Sequence, residues 1–130
     1  MISTTRRNYG VLNFIAKSPN GPVGLDLIKR AKRVQRHAKM QVPIRTGRLK
    51  RSIKVYKHER YVNGQGIRIG TSVPYASFVH DGTKPHLIIP NNKRALKFTK
   101  KGQVIITKRV NHPGTRPNRF LADNVKWFYL

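Results

Sequence analysis

Twenty-eight lysines and arginines stand against four acidic residues in this chain of 130, a formal net charge of +24. A small soluble domain ordinarily carries a net charge of about 2–8 in magnitude. Like charges on one compact surface repel one another and weaken the folded state. Any fold for this sequence must therefore spread its cations over the outside and meet something anionic. Nucleic acid is the commonest such partner, because each phosphate neutralised by Lys or Arg releases counterions. A membrane surface and an acidic protein are the other possibilities. The same imbalance argues against an enzyme built on carboxylates. Asp26, Glu59, Asp81 and Asp123 are scattered along the chain, whereas a two-metal centre needs several that converge.

The length fits a single domain, and a hydrophobic content of 38% supports only a modest core. The absence of cysteine removes disulfides and thiolate metal sites and is compatible with a reducing compartment. No apolar run approaches the roughly 20 residues of a membrane span. Residues 1–9 carry a basic pair without the apolar stretch of a secretory signal. A soluble intracellular protein with no membrane association is the expectation.

Local patterning predicts an α+β fold: a long helix in the N-terminal half, packed on a curved, mainly antiparallel sheet, with a short C-terminal helix. Residues 1–20 read as an arm with an apolar patch at Val11, Leu12, Phe14 and Ile15, and residues 21–130 as one α+β domain. Over residues 23–42, Leu27, Ala31, Val34 and Ala38 recur at helical spacing, and Pro43 stops the helix. Asp26 is expected in its first turn, where the helix dipole favours an anion. After Thr46 and Gly47 the period changes to two, so Leu49, Arg51, Ile53 and Val55 read as a strand running on towards Tyr61. A turn at residues 63–66 leads to a second strand through Ile67, Ile69 and Thr71. Residues 74–79 fit either a strand or a helical turn. A short strand at residues 87–89 is stopped by Pro90, and residues 95–98 and 104–107 flank a turn at Lys100, Lys101 and Gly102. The tail from Arg119 is apolar enough to dock as a helix.

Candidate chemistry is sparse. His80, His86 and His112 lie near turns and could in principle serve acid–base cleavage of RNA or a metal. Their spacing matches no zinc pattern, and hydrogen-bonding histidines at turns are the simpler reading. The chain has no glycine-rich phosphate loop, helix-turn-helix, zinc finger or RNA-recognition strand. No cofactor and no metal are expected, and nothing here reads bases. Two stretches echo one another: Gly82-Thr83-Lys84-Pro85 and Gly114-Thr115-Arg116-Pro117. Each allows a left-handed turn before a fixed exit, so they frame a hairpin lobe at about residues 84–116.

Three pieces stand in a recognisable order: Val42-Pro43-Ile44-Arg45-Thr46-Gly47-Arg48-Leu49-Lys50-Arg51-Ser52-Ile53, then Val73-Pro74-Tyr75-Ala76-Ser77-Phe78-Val79-His80-Asp81-Gly82-Thr83, then His112-Pro113-Gly114-Thr115-Arg116-Pro117-Asn118-Arg119-Phe120-Leu121. The series P-x-x-T-G-x-L-x-x-S-I, Y-A-x-x-V-x-x-G-T and P-x-x-F-L resembles the tail-completion, or neck, proteins of long-tailed bacteriophages, over roughly residues 22–125. The resemblance implies a non-enzymatic virion protein, made in the host cytoplasm and assembled as a homo-oligomeric ring, commonly a hexamer. Such a ring stands between head-completion or connector proteins and tail-terminator or tail-tube proteins, around packaged DNA held without sequence preference. It also implies structural roles for the motif positions Pro43, Thr46, Gly47, Leu49, Tyr75, Gly82, Thr83, Pro113, Gly114, Thr115, Phe120 and Leu121. Tyr75 would be a packed aromatic.

On this reading, Lys93, Arg94, Lys97, Lys100, Lys101 and Lys108 of the hairpin are the first candidates to face a DNA channel. Lys29, Arg33 and Arg36 of the helix come second. The N-terminal arm and Trp127, Phe128 and Tyr129 are the expected meeting points with adjacent rings, since exposed apolar ends need cover. A stand-alone nucleic-acid binder of nucleoid or ribosomal type is the alternative, and a histidine-dependent ribonuclease a more distant one.

Overall fold

The structure, a computed structural model, describes residues 9–61 and 64–130. The expected turn at residues 63–66 lies partly outside them, as does the start of the N-terminal arm. The chain divides into two compact units, one running up to Ala76 and resuming at Arg119–Leu130, the other Ser77–Asn118.

The first unit is organised around one helix. α1 (Tyr9–Lys17) is followed by α2 (Pro22–Gln41), which starts with proline at its first position and ends where Val42 turns extended (φ −63°, ψ 130°) ahead of Pro43. The predicted stripe is the buried one: Ala31, Val34 and Ala38 lie in the core with Gly24, while Leu27 is half-buried. Small residues on this face let other elements approach closely. α1, a β-hairpin and the C-terminal segment all pack on α2. Asp26 is not in the first turn. It is the fifth helical residue, and its carboxylate pairs instead with Arg30 one turn on, at 2.7 Å.

The corner after α2 differs from the strand expected there. Residues Arg48–Ser52 form a short helix, α3, and β1 (Lys54–Tyr61) begins only after it. Gly47 takes a left-handed conformation (φ 72°) and its carbonyl accepts the Arg51 N–H at 3.0 Å, which closes a helical turn. Leu49 is then buried, and the Ser52 hydroxyl donates to the Leu49 carbonyl at 2.7 Å while meeting Thr71 Oγ1. The alternation of apolar and basic residues that mimics a strand is the pattern of one helical turn with Leu49 and Ile53 on its inner side. From Lys54 the strand does form. It pairs antiparallel with β2 (Gly64–Gly70), Val55 opposite Ile69, with a bulge between Tyr56 and Glu59.

Among the described residues, Ile53 and Phe120 are the two largest fully buried side chains, at 0% and 1% exposure. Around them sit Val42, Leu49, Val73 and Ala76. Two polar side chains at the edge of this core are paired. Gln35 donates to the Ile53 carbonyl at 2.7 Å. The buried Asn124 amide donates to the Phe120 carbonyl at 2.8 Å and to Gln41 Oε1 at 2.6 Å. The tail is not one helix but a 3-10 turn (Ala122–Asn124) followed by α5 (Lys126–Tyr129). Trp127 stacks on His37 of α2 with ring centroids 4.0 Å apart, and Arg30 donates to the Phe128 carbonyl at 3.3 Å.

The second unit begins within α4 (Ala76–Asp81), the helical alternative for residues 74–79. β3 (His86–Ile88) pairs with β6 (Val110–His112), and β4 (Leu96–Lys100) with β5 (Gln103–Thr107), both antiparallel. The strands of the chain thus lie in three two-stranded sheets among the described residues, because each short strand ends at a turn or proline after pairing once. The echo in the sequence is a pairing in space. Thr83 and Thr115 exchange backbone hydrogen bonds in both directions at 3.1 Å, and their hydroxyls meet at 3.0 Å. Gly82 (φ 75°) and Gly114 (φ 84°) precede them. A Cβ on Gly82 would come within 2.6 Å of the Thr115 carbonyl, and one on Gly114 would overlap that of Thr83. The Asn118 N–H closes the unit on the Val79 carbonyl at 2.9 Å.

No residue of Ser77–Asn118 is buried. Two-stranded ribbons without a covered face are marginal in water, so the two units differ in what holds them. Phe120→Ala is expected to lower the unfolding free energy of the first unit by about 3–5 kcal/mol, measurable by denaturant titration. In amide hydrogen exchange, β4 and β5 are expected to exchange at least about a hundredfold faster than the centre of α2. Gly114→Ala should speed exchange across Ser77–Asn118 further and leave α2 as it is.

Candidate functional site: the basic surface

Three groups of cations result from these elements. On α2, Lys29, Arg33 and Arg36 fall at steps of four and three, one above another on the helix. Lys29 and Arg36 are exposed and Arg33 is half-buried. The stripe is on a different face from Ala31, Val34 and Ala38, which explains why the helix tolerates it. These three belong to the first unit.

The second group is on the second unit. Lys93 and Arg94 precede β4, Lys97 and Lys100 are on it, Lys101 makes the turn at φ 50°, and Lys108 follows β5. All six are exposed. Lys101 and Gly102 (φ 81°) both take positive φ, a turn whose twist suits a two-residue hairpin. The turn holds the two adjacent ammonium groups of Lys100 and Lys101 at the ribbon's tip.

A third group is marked in the sequence only as a structural motif. Arg45, Arg48 and Arg51 are exposed around the α2–α3 corner, with Lys50 and Lys54 close by in the chain. Arg51 is held there, since its guanidinium donates to the Thr46 carbonyl at 3.3 Å. The Arg48 N–H in turn donates to Thr46 Oγ1 at 3.4 Å. The left-handed Gly47 thus both turns the chain and gathers arginines on one corner. Its signal in the sequence is three arginines at steps of three beside a Thr-Gly.

The motif positions have mostly internal duties. Leu49 and Phe120 are buried, Leu121 is half-buried, and Gly82, Thr83, Gly114 and Thr115 form the clasp. Pro43 and Pro113 are exposed at chain reversals. Tyr75 keeps 39% of its surface in solvent, in the turn before α4, so it is less covered than a packed aromatic. Of the tail aromatics, Trp127 is committed to His37, whereas Tyr129 remains 75% exposed.

The histidines do the work of turns. His86 Nδ1–H donates to the Lys84 carbonyl at 2.9 Å, and His112 Nδ1 accepts the Gly114 N–H at 3.1 Å. The two rings lie 5.0 Å apart across the β3–β6 pair. His80 Nδ1 meets Asp81 at 2.7 Å. Among the described residues, no three His, Cys, Asp or Glu side chains gather where they could hold a metal ion. No described helix is long and apolar enough to cross a membrane.

Neither a curated protein nor a solved structure matches the chain. One family does, over residues 26–82, and it is described as "Bacteriophage HK97-gp10, putative tail-component". The match covers a little under half of the chain. It takes in most of α2, the Thr-Gly corner, the β1–β2 hairpin and α4 up to Gly82, and so the first motif piece and all of the second but Thr83. The third, His112 to Leu121, is outside it. Over residues 26–82 the chain is similar to the HK97-gp10-like family, described as a putative tail component of bacteriophages.

Proposed function

We propose that the protein is a structural subunit of the phage neck, a tail-completion ring around the DNA channel at the head–tail junction. The observation that carries this reading is the similarity to a phage tail-component family in a chain with 28 cations and four acids. A tail component away from the DNA path would gain no phosphate contacts from these cations. One beside the DNA path would gain a wall to which phosphates are drawn without being gripped. Diffuse Lys and Arg attraction forms and breaks quickly and reads no sequence, which suits a conduit that DNA must leave. The subunit works by position and charge and carries no reaction.

In this reading the protein forms a homo-oligomeric ring, a hexamer by the resemblance, between connector-side and tail-side proteins. Lys29, Arg33 and Arg36, and the hairpin residues Lys93, Arg94, Lys97, Lys100, Lys101 and Lys108, share the phosphate-facing role. The corner arginines Arg45, Arg48 and Arg51 join them. Tyr129, together with Val11, Phe14 and Ile15 of α1, all exposed, is offered to neighbouring rings.

Two results are expected. Particles made without the protein should accumulate as filled heads beside unjoined tails in negative-stain images, and normally joined particles would contradict the reading. The purified chain should bind random duplex DNA with an affinity that falls steeply with salt. Replacing Lys29, Arg33 and Arg36 together with alanine should reduce the slope of log K against log salt by about 0.9 for each phosphate no longer neutralised. The same weakening should appear on duplexes of unrelated sequence.

A further inference from the structure

The β4–β5 ribbon carries something that DNA does not need. In the antiparallel register Lys97 is opposite Ile106 and Thr99 opposite Val104. Opposed residues share a face, so Lys97, Thr99, Val104 and Ile106 form one side of the ribbon. Val104 is 57% exposed and Ile106 68%. The other side, with Leu96, Phe98, Ile105 and Thr107, is half-buried. Two large aliphatic side chains thus stand side by side in water on the open face of a unit that has no buried residue.

Their surroundings limit what can cover them. Nine lysines and arginines and no acid lie between Gly82 and Asn118. A second copy laid face to face on this ribbon would bring Lys97 on the face, and Lys101 and Lys108 at its ends, against the same cations of the other copy, with no acid in either ribbon to separate them. Duplex DNA would satisfy the ammonium groups but would leave Val104 and Ile106 against phosphates and sugars, gaining little from their burial. A surface that satisfies both is aliphatic at its centre and acidic at its rim. The two-stranded sheet also leaves each strand an outer edge, to which an extended segment can add.

We propose that the Val104–Ile106 face of the β4–β5 ribbon is a docking site for an acidic, aliphatic-centred polypeptide of another virion protein. The cations of the ribbon then serve a protein partner as well as, or before, DNA. The inference rests on the virion reading only for where that partner comes from. The chemistry of the face is independent of it.

The test uses the full chain and three labelled probes at physiological salt: poly-glutamate, a polypeptide of alternating glutamate and leucine, and a random 30-base-pair duplex. Fluorescence anisotropy should show the alternating polypeptide bound about tenfold tighter than poly-glutamate of equal charge. The double variant Val104→Thr with Ile106→Thr keeps β-branched residues in the strand. It should abolish that preference while holding the duplex affinity within about twofold of the parent. The swap Val104→Ile with Ile106→Val should retain the preference. A parent chain without the preference, or a threonine variant that keeps it, would overturn the proposal. So would equal weakening of both probes by the threonine variant, which would make the face part of a DNA surface. None of these outcomes bears on whether particles lacking the protein join, so the two readings can fail separately.

Discussion

The first unit depends on a stripe of small residues. Ala31, Val34 and Ala38 are buried on one side of α2, and α1, the β1–β2 hairpin and the C-terminal segment all pack on that helix. Short side chains there allow the large ones, Ile53 and Phe120, to come from elsewhere and fill the space. This arrangement frees the remaining faces of α2 for charge. A helix with six cations between Lys29 and Lys39 can be a core element only if its inner side is narrow and uninterrupted, and this one is.

The two units solve the burial problem in different ways. The first closes over a core and satisfies its edges with Gln35, Gln41 and Asn124. The second has backbone pairing with no fully buried residue: two ribbons and the Thr83–Thr115 clasp, fixed by two glycines whose positions no other residue could take without strain. A unit of this kind is held by hydrogen bonds whose net contribution is only about 0.5–1.5 kcal/mol each. Its exposed aliphatic residues and its charge both call for a partner. On the proposed reading, the basic surface has two kinds of site. Cations on a firm helix and corner can meet phosphates without moving, while the cations of the ribbon flank a face that wants cover.

Much of this is legible in the residues. The 4-3-4 spacing of Leu27, Ala31, Val34 and Ala38, and Pro43 after it, places α2 to within a residue. Gly102 places the β4–β5 turn, and Asp81-Gly82 marks the exit from α4. The misreading at residues 49–52 comes from alternation over too few residues, where period two and one helical turn look alike. Only the left-handed Gly47 and the Ser52 hydrogen bonds decide it. The Gly-Thr echo is visible as a repeat, but that its halves pair with each other is a long-range fact that local pattern does not contain. For the site, composition names the cations without saying which way they face. The corner arginines escape notice because their motif reads as structural. The tail aromatics read as outward-facing because a stacking partner for Trp127, His37, lies far away in sequence.

The proposed position, at the head–tail junction around the path of the DNA, is open to direct measurement. The most direct measurement is electron cryo-microscopy of intact particles carrying a gold-labelled or antibody-fragment-labelled copy of the protein. The account predicts label confined to a single collar between head and tail, with ring density of this fold enclosing the DNA path. Label distributed along the tail tube, or gathered at its far tip, would contradict it.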